Sequence, residues 1–331
     1  MSAAGFPDVQ LHVVTGKGGT GKTTVAAALA LSLAAGGKTV LLCEVEGRQG
    51  FAQLLDVPPL PYEERLVVRG EQHGSGDVYA LAIDPESALL EYLDMYYRLG
   101  RAGKALDRFG VIEFATTIAP GVRDVLLTGK VYEAANRNRR NKNARHYDAI
   151  VLDAPPTGRI AQFLNVNDEL AGLAKVGPVK GQADVVMSLL RSPRTAIHLV
   201  TVLEEMPVQE TADGIDQLRE IGLPVGGVVV NQVRPQDLDA EERRQLLDGT
   251  ADRGVLRTSL DKIGLEVDEE MLEGLLEEGR HHAERRALED SQRVLVESLD
   301  VPTYELPRLP GGIDMGGLYE LAGLLGAGGL G

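Results

Sequence analysis

Cysteine is nearly absent from this 331-residue chain, where Cys43 stands alone. One thiol can close no internal disulfide and build no multi-cysteine metal site, and its apolar neighbours mark it as a buried strand residue rather than a reactive group. Long hydrophobic runs are missing too. Val25 to Ala35 is the longest, is broken by Ser32, and falls well short of the ~20 residues that cross a bilayer. Met1 to Gln10 hold no basic cluster ahead of an apolar run, so no secretory signal is read there and the expected compartment is the cytoplasm, without membrane insertion. Positive charge is in deficit: 34 Lys and Arg face 49 Asp and Glu, a net charge of −15 that repels nucleic acid and anionic membranes at long range. Nucleic acid is therefore not an expected partner. One local exception, Arg137, Arg139, Arg140, Lys142 and Arg145, alternates with asparagines instead of stacking aromatics and reads as a solvated loop. Repeats and low-complexity tracts are absent except for the glycine-rich tail Gly323 to Gly331, which is expected to fray.

What the chain does have is apolar content, 44% of residues, enough for a large core. Short β-rich runs recur at Leu11–Val14, Val40–Val45, Val78–Ile83, Tyr147–Leu152, Ala196–Val202, Val225–Val230 and Val301–Leu306. Helical patterns separate them: Thr23–Ala35, closed by Gly36-Gly37, and Gln209–Ile221, where Ile215, Leu218 and Ile221 share a face. Strands alternating with helices predict an α/β fold with a doubly wound, mostly parallel sheet. The reading is one domain over residues 1–331, with helical insertions near 85–145, 168–190 and 235–299 forming an inserted helical subdomain.

The segment Gly16-Lys17-Gly18-Gly19-Thr20-Gly21-Lys22-Thr23 satisfies G-x-x-x-x-G-K-[ST], with a strand before it and a helix after it. Glycines let backbone N–H groups converge on phosphate oxygens, and the helix that follows points its positive end at them. Lys22 is expected to reach the β and γ phosphates, and Thr23 to ligate Mg²⁺. Asp153, at the end of the fourth strand run, stands where a carboxylate holds that Mg²⁺. Ala154-Pro155-Pro156-Thr157-Gly158 follows as a stiff turn, and the Gly158 amide is suited to sensing a γ-phosphate. Lys17 is a second lysine in a loop that Lys22 already serves; its charge needs another target, such as a neighbouring subunit's nucleotide.

These residues resemble the arsenical-pump ATPases and the related targeting factors for tail-anchored membrane proteins, P-loop ATPases of the deviant Walker A class. The matching segments are Gly16 to Thr24, Asp153 to Arg159, Pro120-Gly121, Glu204-Glu205-Met206 with Glu210-Thr211, and Val229-Val230-Asn231-Gln232. The resemblance implies ATP and Mg²⁺ as cofactors, a Lys17 that crosses a dimer interface, and an Asn231 that recognises adenine. It also implies that Leu306-Pro307 through Asp314 closes over the base, placing Pro307 beside the nucleotide. Three departures stand out. Glu46-Gly47-Arg48 occupies the place of the family's Asp-Pro-Ala, so Glu46 is the candidate to orient or deprotonate water. The Cys-x-x-Cys pair that bridges the targeting factors with zinc is missing, which excludes a cysteine-ligated zinc here; the pump's arsenite-binding cysteines are missing as well.

The expectation is thus an ATP-hydrolysing dimer, with itself or with a paralogue, that couples nucleotide state to a protein client or membrane-protein partner. Its catalytic residues would be Lys17, Lys22 and Glu46. Gly16, Lys17, Gly18, Gly19, Thr20, Gly21, Lys22, Thr23, Thr24, Gly158, Asn231 and Pro307 would hold the nucleotide, and Thr23 and Asp153 the metal. A client groove would need an adaptable apolar lining; Leu89, Leu90, Leu93, Tyr96, Tyr97, Met187, Leu189 and Leu190 sit at helical spacings but read first as core. The rival is a positioning switch like the division-site or plasmid-partition ATPases, which work on membranes or DNA. Against it, Leu318, Leu321, Leu324 and Leu325 form an apolar face with no Lys or Arg beside it, unlike a membrane-surface helix.

Overall fold

The computed structural model describes residues 6–45, 47, 49–70, 74–97, 121–137, 144–173 and 178–331, and gives the backbone alone for 92–97, 122, 167–173 and 178–182. Its centre is β1 (Leu11–Gly16), six residues buried without exception. The chain then enters α1 (Lys22–Ala35) and returns as β2 (Val40–Glu44). After the short α2 (Gly50–Leu54) come β3 (Arg65–Val68) and β4 (Val78–Ala82), then α3 (Pro85–Tyr97) and α4 (Val122–Ala135). The second half runs β5 (Ala149–Asp153), α5 (Thr157–Leu173), α6 (Pro178–Leu190), β6 (Thr195–Thr201), α7 (Glu205–Glu220) and β7 (Val225–Val233). A helical excursion follows, α8 (Ala240–Leu247), α9 (Arg253–Lys262) and the long α10 (Glu269–Glu297), before β8 (Thr303–Pro307) and α11 (Met315–Ala327).

Among the described residues the strands make one eight-stranded sheet in the order β3-β4-β2-β5-β1-β6-β7-β8. Only β3 runs antiparallel to its neighbour. The chain leaves β1, places β2 one strand away, and later fills the gap with β5 before crossing to β6. Such a reversal of winding opens a crevice at the carboxyl ends of the strands, where ligands bind in this class of sheet. The predicted doubly wound, mostly parallel α/β sheet is therefore found.

Alternation along each buried strand splits the core in two. Leu11, Val13, Leu41, Cys43, Ile150, Leu152, Ile197 and Leu199 face α4 to α7, where Leu127, Phe163, Met187 and Leu218 meet them. Val14, Val40, Leu42, Val151 and Val200 face α1, α2 and α11. A helix packed only on a sheet keeps a polar outer face, yet α1 is apolar nearly all round and buried from Val25 to Ala34. Its cover is α11. Leu318, Leu321, Leu325 and Leu330 are buried in the same cluster, and a side chain at Gly326 would lie 2.8 Å from Ser32 Oγ, so a small residue is needed for the two helices to approach.

Four expectations change. The tail read as fraying is helical to Ala327 and seats Leu330 in the core, because α1 demands apolar cover. Thr157-Gly158 begins α5 rather than ending a turn: Pro155-Pro156 stop the strand, and the helix starts directly after them, eleven residues before the predicted Asp168. Strand β3 had not been read at all. Finally, Arg137 is not solvated but held by Glu64 at 2.5 Å and Glu133 at 2.8 Å, while Arg145 lies over the Tyr79 ring at 3.9 Å. Arg139, Arg140 and Lys142 lie outside the described residues.

Of the candidate groove residues, Leu89 is buried, and Met187, Leu189 and Leu190 belong to the main core, as packing stripes do. The side chains of Leu93, Tyr96 and Tyr97 lie outside the described set. Cys43 is fully buried, and loss of solvent pushes its thiol far above the usual range, which keeps it protonated and inert.

Candidate functional site

The loop between β1 and α1 takes a shape that glycine alone allows at two points. Gly16 has φ 154°, and a Cβ there would sit 2.1 Å from the Val200 carbonyl of the adjacent β6. Gly21 has φ 85°, and its Cβ would lie 2.4 Å from Asn231 Nδ2. The loop is thus pinned between β6 and the end of β7, and α1 starts at Lys22 with its first-turn N–H groups directed into the loop. Gly18 and Gly19 are exposed and open, leaving their backbone accessible to a ligand. Thr20 is buried, its hydroxyl donating to the Lys17 carbonyl at 2.9 Å. Thr24 lies one residue further along α1, half-buried.

Two lysines of this one loop have different surroundings. Lys22 is buried, its Nζ 3.4 Å from the Lys17 carbonyl inside the loop. Lys17 points outward, about one-third exposed, and its Nζ pairs with Glu210 at 2.5 Å. The sequence reading found Lys17 no partner in its own subunit; the fold supplies one, because β6 lies beside β1 and launches α7, which brings Glu210 over the loop. The other oxygen of Glu210 accepts from Thr157 Oγ1 at 3.3 Å, so one carboxylate ties the loop lysine to the first residue of α5. Gly158 is next along, exposed in the first turn of α5, where backbone N–H groups have no helical acceptor.

Strand β5 sets Asp153 opposite Val14 of β1 on one side and Glu44 of β2 on the other. Thr23 Oγ1 donates to Asp153 Oδ2 at 2.7 Å, so the two residues read as metal ligands are in contact. Beside them, Glu44 is a buried carboxylate that had not been singled out; its Oε1 accepts from Gly50 N at 3.3 Å, and among the described residues its Oε2 has no hydrogen-bond partner. Its signal was present in the strand: Val40, Leu42 and Glu44 alternate onto one face, the face that carries Asp153. Glu46 and Arg48 lie outside the described residues, as does Pro120.

These groups fit a divalent cation. Carboxylate and hydroxyl oxygens are the hard donors Mg²⁺ takes, and a buried carboxylate oxygen without a partner is the kind of atom a hydrated cation satisfies. Among the described residues no group of three or more His, Cys, Asp or Glu could hold a metal by itself. Mg²⁺ does not require one, since it keeps several waters and takes phosphate oxygens beside one or two carboxylates.

A cleft of about 390 Å³ opens from the loop, walled by Lys17 to Thr20, by Glu204, Met206 and Pro207 before and in α7, and by Asn231 to Arg234. Asn231 is buried and donates from Nδ2 to the Thr20 carbonyl at 2.9 Å, which fixes its amide plane against the β1–α1 loop. Pro307 ends β8 beside Val233, and its neighbour Arg308, rather than Pro307 itself, lines the cleft. Glu289 of α10 reaches the same wall and pairs with Arg234 and, at 2.6 Å, with the buried Arg286. The helical excursion thereby touches the cleft through charges.

Comparison with known proteins bears on this geometry. A family model described as anion-transporting ATPase matches residues 9–192, which include the loop, Glu44 and Asp153. The ATPase BagA of Mycobacterium tuberculosis is 52% identical over 325 residues, covering 97% of this chain and 95% of that protein. An arsenical pump-driving ATPase of Escherichia coli is 28% identical over 258 residues, covering 70% of this chain and 40% of the other. A second arsenical pump-driving ATPase, from Acidiphilium multivorum, is 28% identical over 243 residues, with 67% and 39% covered.

Proposed function

This chain belongs to the anion-transporting ATPase family and is an ATPase, and within that family we propose that it works as a Mg²⁺-dependent dimer whose nucleotide state governs the grip on a protein partner. Lys22 and the loop amides hold the β and γ phosphates, while Thr23 and Asp153 serve the metal that neutralises them. Positioning and electrostatic stabilisation account for most of the catalysis in phosphoryl transfer, so no covalent chemistry is asked of the protein. Glu46 orients or deprotonates the attacking water, and the Gly158 amide reads the γ-phosphate. Asn231 faces the base: with Nδ2 held by Thr20, its Oδ1 accepts from adenine's exocyclic amine, where guanine presents a carbonyl. ATP should then bind more tightly than GTP by about 1–3 kcal/mol in a calorimetric titration.

The single observation carrying the dimer is the division of labour within the loop. Lys22 is buried among the groups that meet the phosphates; Lys17 is held outside, on a carboxylate it can exchange for a better anion. A facing subunit's γ-phosphate is such an anion, and across a two-fold axis each nucleotide would then bridge both chains. No helix among the described residues is long and apolar enough to cross a membrane, and α11 buries Leu318, Leu321 and Leu325 on α1, which supports reading that face as packing. The expected site of action is the cytoplasm. Sedimentation across a dilution series tests the dimer without nucleotide, with ADP·Mg²⁺ and with a non-hydrolysable ATP analogue. The analogue should tighten the dimer of wild type and leave Lys17→Ala unchanged; equal dissociation constants in all three states would discard the trans-acting lysine.

A further inference from the structure

We propose that Glu44 is the second carboxylate of the cation site, holding through water the magnesium ion that Thr23 and Asp153 serve. The inference deepens the nucleotide reading above and rests on it. Glu44 closes β2 with its side chain on the α1 face, 3% exposed, and Asp153 is its partner in the parallel register. Parallel neighbours stand about 4.8 Å apart with side chains on the same side of the sheet, so the two acids leave their strands side by side. On the other flank is Gly50, whose N–H reaches Glu44 Oε1 and which packs on Thr23 so closely that a Cβ would fall 2.9 Å from Thr23 Cγ2. Glu44 is thus flanked by Asp153 on the neighbouring strand and by Gly50, which packs on the Thr23 that bonds Asp153 at 2.7 Å. Among the described residues it forms no ion pair, and its Oε2 is buried with no hydrogen-bond partner.

Two adjoining carboxylates repel in a buried setting, and an unsolvated acid is costly unless a cation or a donor satisfies it. A hydrated divalent ion does both: its charge relieves the pair, and its bound water donates to Oε2. Glu44 is accordingly a positioning residue that raises metal affinity without touching the nucleotide. The bland alternative is a cap, an acid retained only to accept from Gly50 N at the start of α2. Glu44→Gln separates the two roles, because the amide keeps the accepting oxygen and loses only the charge. Glu44→Asp keeps the charge and withdraws it by one methylene.

The full-length protein saturated with ADP is titrated with Mn²⁺, free ion being read by electron paramagnetic resonance. ADP affinity in EDTA is measured by calorimetry, and melting is followed without metal or nucleotide. Glu44→Gln should raise the half-saturating Mn²⁺ by about tenfold or more, the usual cost of losing an outer-shell partner. Glu44→Asp should fall between it and wild type, ADP affinity in EDTA should not drop, and the melting temperature of Glu44→Gln should equal or exceed wild type. An unchanged Mn²⁺ midpoint in Glu44→Gln overturns the assignment; so does a lowered melting temperature with an unchanged midpoint, which selects the cap. Wild-type protein that binds ADP with no dependence on Mn²⁺ overturns the metal reading itself, an outcome distinct from the failure of Glu44 alone.

Discussion

The phosphate-loop face and the helical excursion between β7 and β8 are built on opposite terms. Around the loop, α1 is buried on nearly all its surface, and Gly16 and Gly21 are fixed by contacts shorter than any side chain tolerates. In the excursion, α8 and α9 bury no residue, and Val255, Ile263, Leu265 and Met271 are each more than half exposed. Its helices are instead well capped: Asp239 and Glu242 form a capping box on α8, and Asp252 and Asp268 accept from first-turn N–H groups of α9 and α10. Salt links such as Arg243–Asp290 at 2.7 Å join its members. Local helix chemistry therefore maintains α8 and α9, whereas α10 seats Val296 in the main core and tertiary packing maintains the loop. The lesson is that α8 and α9 can shift on their neighbours at small cost, while the loop must hold its geometry closely.

The largest effect expected follows from the rigid side. If Lys22 is the buried counter-charge of the triphosphate, as proposed, Lys22→Ala should weaken ATP binding by about 2–5 kcal/mol, as losing one member of a buried charge pair does. Calorimetry checks it, and near-wild-type affinity would separate Lys22 from the phosphates. Packing gives the same contrast without a ligand. Leu29→Ala, in the fully buried centre of α1, should cost about 2–5 kcal/mol of stability, whereas Ile263→Ala at the 71% exposed end of α9 should stay within about 0.5 kcal/mol. Chemical denaturation of both variants decides; equal losses would mean that the excursion is as tightly packed as the core.

The legible parts of this molecule are those whose pattern is local. A strand, a glycine loop and a helix in succession, with an acid at the end of another strand, placed β1, α1 and Asp153 correctly. Strand β3 was missed because Arg65-Leu66-Val67-Val68 is four residues on an antiparallel edge, half-buried throughout and so without alternation. The tail was missed because glycine content signals fraying, whereas here glycines let α11 settle on Ser32. The pairing of Lys17 with Glu210 joins residues from different strands' connections and has no local trace. Glu44 could have been found, since it continues the period of Val40 and Leu42, but a strand-final acid looks like an ordinary boundary.

A pH effect sharpens the contrast from beneath the loop. His12 of β1 and His198 of β6 are fully buried, ring nitrogens 3.1 Å apart, and among the described residues His12 Nε2 and His198 Nδ1 have no hydrogen-bond partner. Burial holds both rings neutral: it drives His12 well below the usual range, aided by His198 and Lys38, and pushes His198 down to about 4 from 6.5. Because the folded values lie below the unfolded one, the stability is present above pH 6.5. It is lost as the pH falls from 6.5 toward 4, where the unfolded chain takes up protons that the folded chain refuses. His198 alone would contribute a loss on the order of 3 kcal/mol. Denaturant midpoints from pH 7 to 4.5 should fall less steeply in the double variant His12→Leu with His198→Leu, which removes both hydrogen-bonding partners together. Parallel slopes would mean that the carboxylates account for the acid sensitivity.

The smallest expected effect concerns the one charge of the rigid loop that is free to change partners. Glu210 holds Lys17 at 2.5 Å and Thr157 at 3.3 Å, so releasing the lysine toward a second subunit also releases a contact on α5. Both side chains of the ion pair are about one-third exposed, so water screens the pair and its worth is only about 0–1 kcal/mol. That small value is what makes exchange feasible: a carboxylate that bound Lys17 much more tightly would keep it from a facing phosphate. In Glu210→Gln the lysine loses its competitor, and because two lysines cross in a two-fold dimer, linkage requires the analogue-bound dimer to tighten by that amount twice, up to about thirtyfold in dissociation constant. Stability of the single chain should scarcely change. Lys17→Ala combined with Glu210→Gln should behave as Lys17→Ala alone, because the carboxylate acts only through the lysine. Sedimentation equilibrium with the ATP analogue resolves a change of that size, and a Glu210→Gln dimer weaker than wild type would show that Glu210 supports the lysine in its crossing position instead of withholding it.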